Sequence, residues 1–344
     1  MTIGPTQLCS FDSRIEPGNE NPLHSEFSSA LQRGVVSLGL MAAATALTSC
    51  STSSQEQVRP QVPAVAPGQV VEYRTGSFVW HDLLLKDPET VRDFYAGLFG
   101  WSFRQADDSG RFLVIELGNR TIGGVAVVSD TLSDPPRGVW LSSVSVEDVD
   151  RAADRVATNG GGVMLAPEDL PSRGRHAVVA DPQGAALVLL RSSTGDGPPP
   201  KADTIGPGDW LWMELWTDDP AGARSFYSKL LGYGFESRES RSSDAGGASS
   251  VELEEADYLV LTTSGEPQAG MVRLPFAEAR PHWLPFVSVR DVAAASREVE
   301  RLGGAIIIAP EDVERKDAAI VADPSGAVFG LQQWPRPAQT GGVR

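Results

Sequence analysis

Cysteine is almost missing from this chain of 344 residues: Cys9 and Cys50, both near the N-terminus, are the whole supply. Two such residues build neither a disulfide framework nor a Cys-rich zinc site. Histidine is scarce as well, with only His24, His81, His176 and His282, so imidazole-based metal chemistry has few places to sit. Positive charge runs short. There are 29 Lys+Arg against 45 Asp+Glu, a formal net charge of −16; such a surface repels phosphate backbones, and no nucleic-acid partner is expected. The one extended apolar run, Gly34 to Ser49, is shorter than the ~20 residues a membrane-spanning helix needs. Neither a Gly-x-Ser-x-Gly elbow nor a Gly-x-x-x-x-Gly-Lys-[Ser/Thr] loop is present. Gly160-Gly161-Gly162 follows a helical pattern instead of opening one, so it reads as a helix stop and not as a phosphate cradle.

What is present begins with an address. Arg33 precedes the apolar run, which ends in Leu47-Thr48-Ser49-Cys50. This pattern fits a signal-peptide h-region, and its last four residues resemble a bacterial lipobox. The resemblance implies cleavage before Cys50 and lipidation of that residue, with anchoring by more than one acyl chain and a place in the cell envelope. An uncleaved anchor or a buried helix are the alternatives. The expected organisation is a leader and signal peptide over 1–49, then a flexible Ser-, Gln- and Pro-rich tether over 50–72.

The rest of the chain is written twice. Trp80-His81-Asp82-Leu83 matches Trp212-Met213-Glu214-Leu215, Asp87-Pro88 matches Asp219-Pro220, and Phe94-Tyr95 matches Phe226-Tyr227, all at one constant offset. Further on, Ala166-Pro167-Glu168-Asp169 matches Ala309-Pro310-Glu311-Asp312, and Asp181-Pro182 matches Asp323-Pro324. The offset grows between these sets, so the second copy carries an insertion, placed in the Ser- and Gly-rich region 240–250. Such a repeat marks two homologous domains, expected at 73–192 and 208–335 with a linker over 193–207 and a tail over 336–344. Within each copy, period-2 strands alternate with amphipathic helices that open on Asp and close on Gly. Each domain therefore holds two βαβββ modules, and the fold class is α+β. The Ala-Pro-Glu-Asp segments are expected as loops, and Val251–Leu253 as a strand.

Paired βαβββ modules with Phe-Tyr-x-x-Leu-[Phe/Leu]-Gly after the first helix start, a mid-domain Gly-Gly and a closing Asp-Pro-x-Gly-Ala resemble the vicinal oxygen chelate superfamily. That group includes glyoxalase I, bleomycin-resistance proteins and extradiol dioxygenases. The resemblance implies curved sheets forming cups, with a divalent metal held by His or Gln on the opening strands and Glu on the closing strands. Carried over position by position, the ligand sites fall on Trp80, Leu141 and Val188 in the first domain and on Trp212, Leu284 and Gly330 in the second. None offers the O, N or S donor that a cation needs, so no metal and no cofactor are expected. His81 lies one residue off, and strand alternation sends it to the opposite, helix-packed face.

The same alternation puts Trp80 and Asp82 on the first cup face, and Trp212, Glu214 and Trp216 on the second. His282 and Phe286 are expected to share that second face, with Gln332 approaching from the closing strand. Trp80, Asp82, Trp212, Glu214, His282 and Phe286 are thus the candidate ligand-binding residues. An indole offers a flat apolar wall and a carboxylate one fixed polar contact, which suits a small aromatic or amphipathic molecule. Glu214 with His282 is the candidate acid–base pair for a catalytic alternative. A third reading has the cups filled by their own tryptophans. Ser143 and Ser145 make the first cup the blander one. His176, between Arg173 and Arg175, is expected at the surface, and Asp181 and Asp323 as turn formers.

Overall fold

A computed structural model describes residues 62–66, 68, 72–128, 137–237, 258–276, 279–313 and 316–335. The leader, Cys50, the region 240–250, Val251–Leu253 and the tail lie outside the described residues. Among those described, no helix is long and apolar enough to cross a membrane.

Among the described residues, two eight-stranded sheets carry the molecule, and their strand orders are the same. In the first, β1 (Phe78–Leu85) leads through α1 (Glu89–Phe99) to β2 (Ser102–Gln105), β3 (Phe112–Leu117) and β4 (Arg120–Val127). The second module runs β5 (Val139–Ser145), α2 (Val149–Thr158), β6 (Gly162–Leu170), β7 (Gly174–Ala180) and β8 (Ala186–Ser192). The sheet order is β2-β3-β4-β1-β5-β8-β7-β6. β1 and β5 are antiparallel neighbours at the centre, with Trp80 opposite Ser143 and Asp82 opposite Leu141. The second sheet repeats this with β9 (Trp210–Thr217), α3 (Pro220–Leu231), β10 (Gly234–Ser237), β11 (Tyr258–Thr263) and β12 (Glu266–Arg273), followed by β13 (His282–Val289), α4 (Val292–Arg301), β14 (Ala305–Ile308), β15 (Ala318–Ala322) and β16 (Val328–Gln333). Here β9 and β13 are the central antiparallel pair.

Local chemistry sets the helix ends. Asp148 and Asp291 accept from the backbone N–H three residues on, at 3.0 and 2.8 Å, and cap α2 and α4. Asp219 caps α3 in the same way, with Pro220 as its first residue. Its counterpart Asp87 reaches only the Glu89 N–H, at 3.1 Å. Gly100 and Gly232 close α1 and α3 at φ +71, where a side chain would be strained.

The helix faces of the two sheets pack against each other, and each core is assembled from both domains. Phe94, Tyr95 and Trp140 share one core with Val287, Val299 and Phe329. Val144, Val156 and Leu189 share the other with Met213, Phe226 and Trp283. A hydrogen-bonded chain crosses each core: Trp140 Nε1 donates to Tyr95 Oη (3.0 Å), which donates to Asp323 Oδ2 (2.8 Å). Trp283 Nε1 likewise donates to Tyr227 Oη (2.8 Å), which donates to Asp181 Oδ2 (3.0 Å). Asp181 and Asp323 are therefore more than turn formers; one oxygen organises the turn and the other receives a tyrosine from the opposite domain. Burial raises both carboxyls.

Three sequence-based expectations need correcting. Ala166-Pro167-Glu168-Asp169 is not a loop but part of the irregular strand β6, whose register shifts twice along β7; the second copy is a short 3-10 turn, Pro310–Asp312. His176 is buried, not at the surface, because β7 is an inner strand between β6 and β8; its Nδ1 lies 3.2 Å from the Glu168 carbonyl. Within the stretch read as a flexible tether, Val62, Val65 and Ala66 are buried against the first domain.

Candidate functional site

The outer faces of the sheets are the two cups. In the first, β1 turns Trp80 and Asp82 outward and sends Leu83 and Leu85 into the shared core. His81 goes inward too. It is buried, lies 2.8 Å from Ser142 Oγ, and packs on Trp210 of the other domain with ring centroids 4.3 Å apart. Burial pushes its pKa down to about 3. It is a packed histidine.

Trp80 Nε1 donates to Asp82 Oδ1 at 2.7 Å. Arg173, from the turn between β6 and β7, lays its guanidinium over the Trp80 ring, 4.0 Å from the centroid. It faces Asp82 Oδ2 at 3.5 Å. Burial raises the Asp82 carboxyl, and the Arg173 charge and the Trp80 hydrogen bond oppose that. The first cup is therefore not the blander one: it holds an ion pair between a buried arginine and a half-buried aspartate that its serines did not announce. Ser145 Oγ is spent on Asp196 (2.6 Å). Trp80 and Asp82 are both committed to contacts inside the chain.

In the second cup, β9 aligns Trp212, Glu214 and Trp216 on one face. Glu214 is 1% exposed. Tyr258 Oη donates to its Oε1 at 3.0 Å, and Trp216 Nε1 donates to its Oε2 at 3.3 Å. Trp212 Nε1 donates in turn to Tyr258 Oη at 2.9 Å. The result is a chain of donors, indole to phenol to carboxylate, on the floor of an apolar wall made of Phe286, Leu284, Val260 and Ile320. Gly270 makes room for it, since a Cβ there would overlap the Tyr258 hydroxyl and crowd Trp212. Gly330 does the same for Phe286. On β16, beside Gly330 and opposite Ala318, Gln332 is buried, and its Nε2 has no hydrogen-bond partner among the described residues.

His282 begins β13 opposite Trp216. Its Nδ1 lies 2.7 Å from the Arg280 carbonyl and its ring is 5.5 Å from that of Trp216. Burial lowers its pKa. Trp216 is the residue that touches both members of the candidate acid–base pair. Sequence reasoning missed Tyr258, Gly270 and Arg173. A signal existed for the first two: Phe112 and Tyr258 open matching strands, and Gly124 and Gly270 lie opposite Asp82 and Glu214. Arg173 left no such trace.

The metal positions implied by the resemblance do not fit a cation. Trp80 and Trp212 spend their N–H groups as donors, Leu141, Leu284 and Val188 offer only carbon, and Gly330 offers nothing. Among the described residues, no three His, Cys, Asp or Glu side chains converge.

Comparison with known proteins agrees with this geometry at the level of fold. The Glyoxalase/Bleomycin resistance protein/Dioxygenase superfamily model matches residues 77–189 and again 210–331. The anthracycline biosynthesis protein DnrV of Streptomyces peucetius is 32% identical over 291 residues, covering 80% of this chain and all of DnrV (100%). CFP32 of Mycobacterium tuberculosis (strain CDC 1551 / Oshkosh), whose name carries the word glyoxylase, is 29% identical over 272 residues, 78% of this chain and 98% of that one. Among solved structures, the 2,3-dioxygenase LapB from Pseudomonas sp. KL28 aligns with a TM-score of 0.50 at 14% identity, over 78% of this chain and 95% of LapB, a likeness of fold alone. With both halves of its repeat matched and its two eight-stranded sheets built from paired βαβββ modules, this chain belongs to the Glyoxalase/Bleomycin resistance protein/Dioxygenase superfamily.

Proposed function

We propose that this superfamily member binds a small planar aromatic or amphipathic molecule in its second cup, and that it does so without a metal ion. The carrying observation is Gln332. A buried amide N–H that finds no partner costs about 1–3 kcal/mol, and a ligand carbonyl or hydroxyl placed against it would recover that cost. Trp212 and Phe286 belong to the apolar wall of this cup, and Glu214 fixes the Tyr258 hydroxyl in orientation. The names of two relatives, DnrV and DauV, connect those proteins with anthracycline biosynthesis, which makes 1,8-dihydroxyanthraquinone a natural first probe. Titrated into the full chain, it should quench tryptophan fluorescence at micromolar concentration, and Gln332→Leu should weaken binding about tenfold, the equivalent of one hydrogen bond at about 1.4 kcal/mol. Equal affinity in Gln332→Leu would sink the assignment.

A second reading rests on His282. With Nδ1 donating to the Arg280 carbonyl and the ring kept neutral by burial, Nε2 retains a lone pair. Such a group, on the same face of the sheet as Glu214, suits proton abstraction from a bound molecule. We further propose that the chain is tethered to the cell envelope through lipid on Cys50, as the lipobox-like sequence supports.

A further inference from the structure

The first cup contains a charge that none of this uses. Ser172, at φ +67, turns the chain between β6 and β7 so that Arg173 folds back over the cup. The guanidinium is 3% exposed. Nη1 faces Asp82, the plane lies on Trp80, and Nε donates to the Pro63 carbonyl at 2.7 Å. Nη2 is buried, with no partner among the described residues. Nε and Nη2 form one edge of the guanidinium, and their two parallel N–H groups match the two oxygens of a carboxylate. A single peptide oxygen fills half of that edge.

Pro63 belongs to a segment, residues 62–66, with no helix or strand of its own. Val65 packs with Trp80 and Leu190, and Thr194 Oγ1 donates to the Ala66 carbonyl at 3.0 Å. The segment thus presents an apolar side chain to the cup wall and an oxygen to Arg173. A small organic carboxylate would present the same two features, with the second oxygen that the segment lacks.

We propose that the first cup is a carboxylate-binding site and that residues 62–66 occupy it as a displaceable strap. Asp82 does not bar an anion, because it sits against Nη1 and the Trp80 N–H, away from the edge in question. The ligand class is a short hydrocarbon or aryl group ending in a carboxylate. A charge-assisted bidentate pair is stronger than the bond to one neutral carbonyl, which gives the ligand its means of displacing the strap.

Calorimetric titration of the full chain with phenylacetate and hexanoate, against phenylacetamide and hexanamide, tests this, with hydrogen exchange of residues 62–66 followed in parallel. The carboxylates should bind at least tenfold more tightly than the amides, and exchange of the strap should rise as they saturate. Val65→Ser should tighten carboxylate binding several-fold by loosening the strap. Arg173→Lys should weaken it at least tenfold, while both variants still bind 1,8-dihydroxyanthraquinone as the unsubstituted chain does. That last readout separates failure of this site from failure of the second cup. Wild-type protein that shows no preference for carboxylate over amide, or whose strap exchange is unchanged at saturation, overturns the proposal without recourse to any variant.

Discussion

Single residues here are governed by burial more than by partners, and His81 shows it most clearly. Its pKa is pushed down to about 3 from a usual 6.5, so between these values the unfolded chain binds a proton that the folded chain refuses. The contribution of His81 to stability is therefore complete above pH 6.5 and is lost as pH falls toward 3, at up to about 1.4 kcal/mol per pH unit for one proton. His176 and His282, also lowered by burial, act in the same direction. Asp82, Asp181 and Asp323 act in the opposite one: their raised values favour the folded state at low pH, and that contribution is lost as pH rises from about 3.8. His81→Gln should flatten the dependence of unfolding free energy on pH between 6.5 and 5, measured by denaturant titration. An unchanged slope would mean that His81 is protonated in the folded protein. The inward placement of this residue was legible from strand alternation alone. Arg173 was not, because a turn residue has no period, and its reach over Trp80 depends on one positive φ.

At the level of elements, the cups depend on where strands lack side chains. The ring of Tyr258 on β11 reaches over Gly270 on β12, and that of Phe112 on β3 over Gly124 on β4. Gly270→Ala should therefore push the tyrosine off both Trp212 and Glu214, costing about 1–3 kcal/mol as an overpacked core does and abolishing dihydroxyanthraquinone binding. Gly162→Ala is the control: its Cβ would meet nothing within 4 Å, and thermal unfolding should move little. If both substitutions behave alike, the packing described for the second cup is wrong. Most elements could be read from their ends, since Asp, Pro and Gly punctuate them. Helix α3 runs from Pro220 to Leu231, between Asp219 and Gly232. Strand β10 escaped notice because it is only four residues, Gly-Phe-Glu-Ser, too short to show alternation. β6 escaped as a full strand because its proline and register shifts interrupt the pattern.

Across the whole molecule, the repeat made two domains and their shared architecture legible, but not how the domains join. The bonds that join them link residues far apart in sequence, Tyr95 to Asp323 and Tyr227 to Asp181, and no local pattern reports such a pairing. Each phenol is held well above its ordinary pKa, chiefly by burial and then by the carboxylate it meets. The two latches are the same bond made twice across the interface. With the helix faces spent on each other, the cups are the faces turned outward. They have diverged: one is built around an arginine and carries a strap, the other around a tyrosine and an orphan amide. Both have indoles where a chelating side chain would stand. The most direct test is titration of chelator-treated protein with 1,8-dihydroxyanthraquinone, repeated after adding manganese, iron(II) or zinc in stoichiometric amount. Binding of equal strength in every case is the predicted result; binding that emerges only with one equivalent of metal would contradict the account.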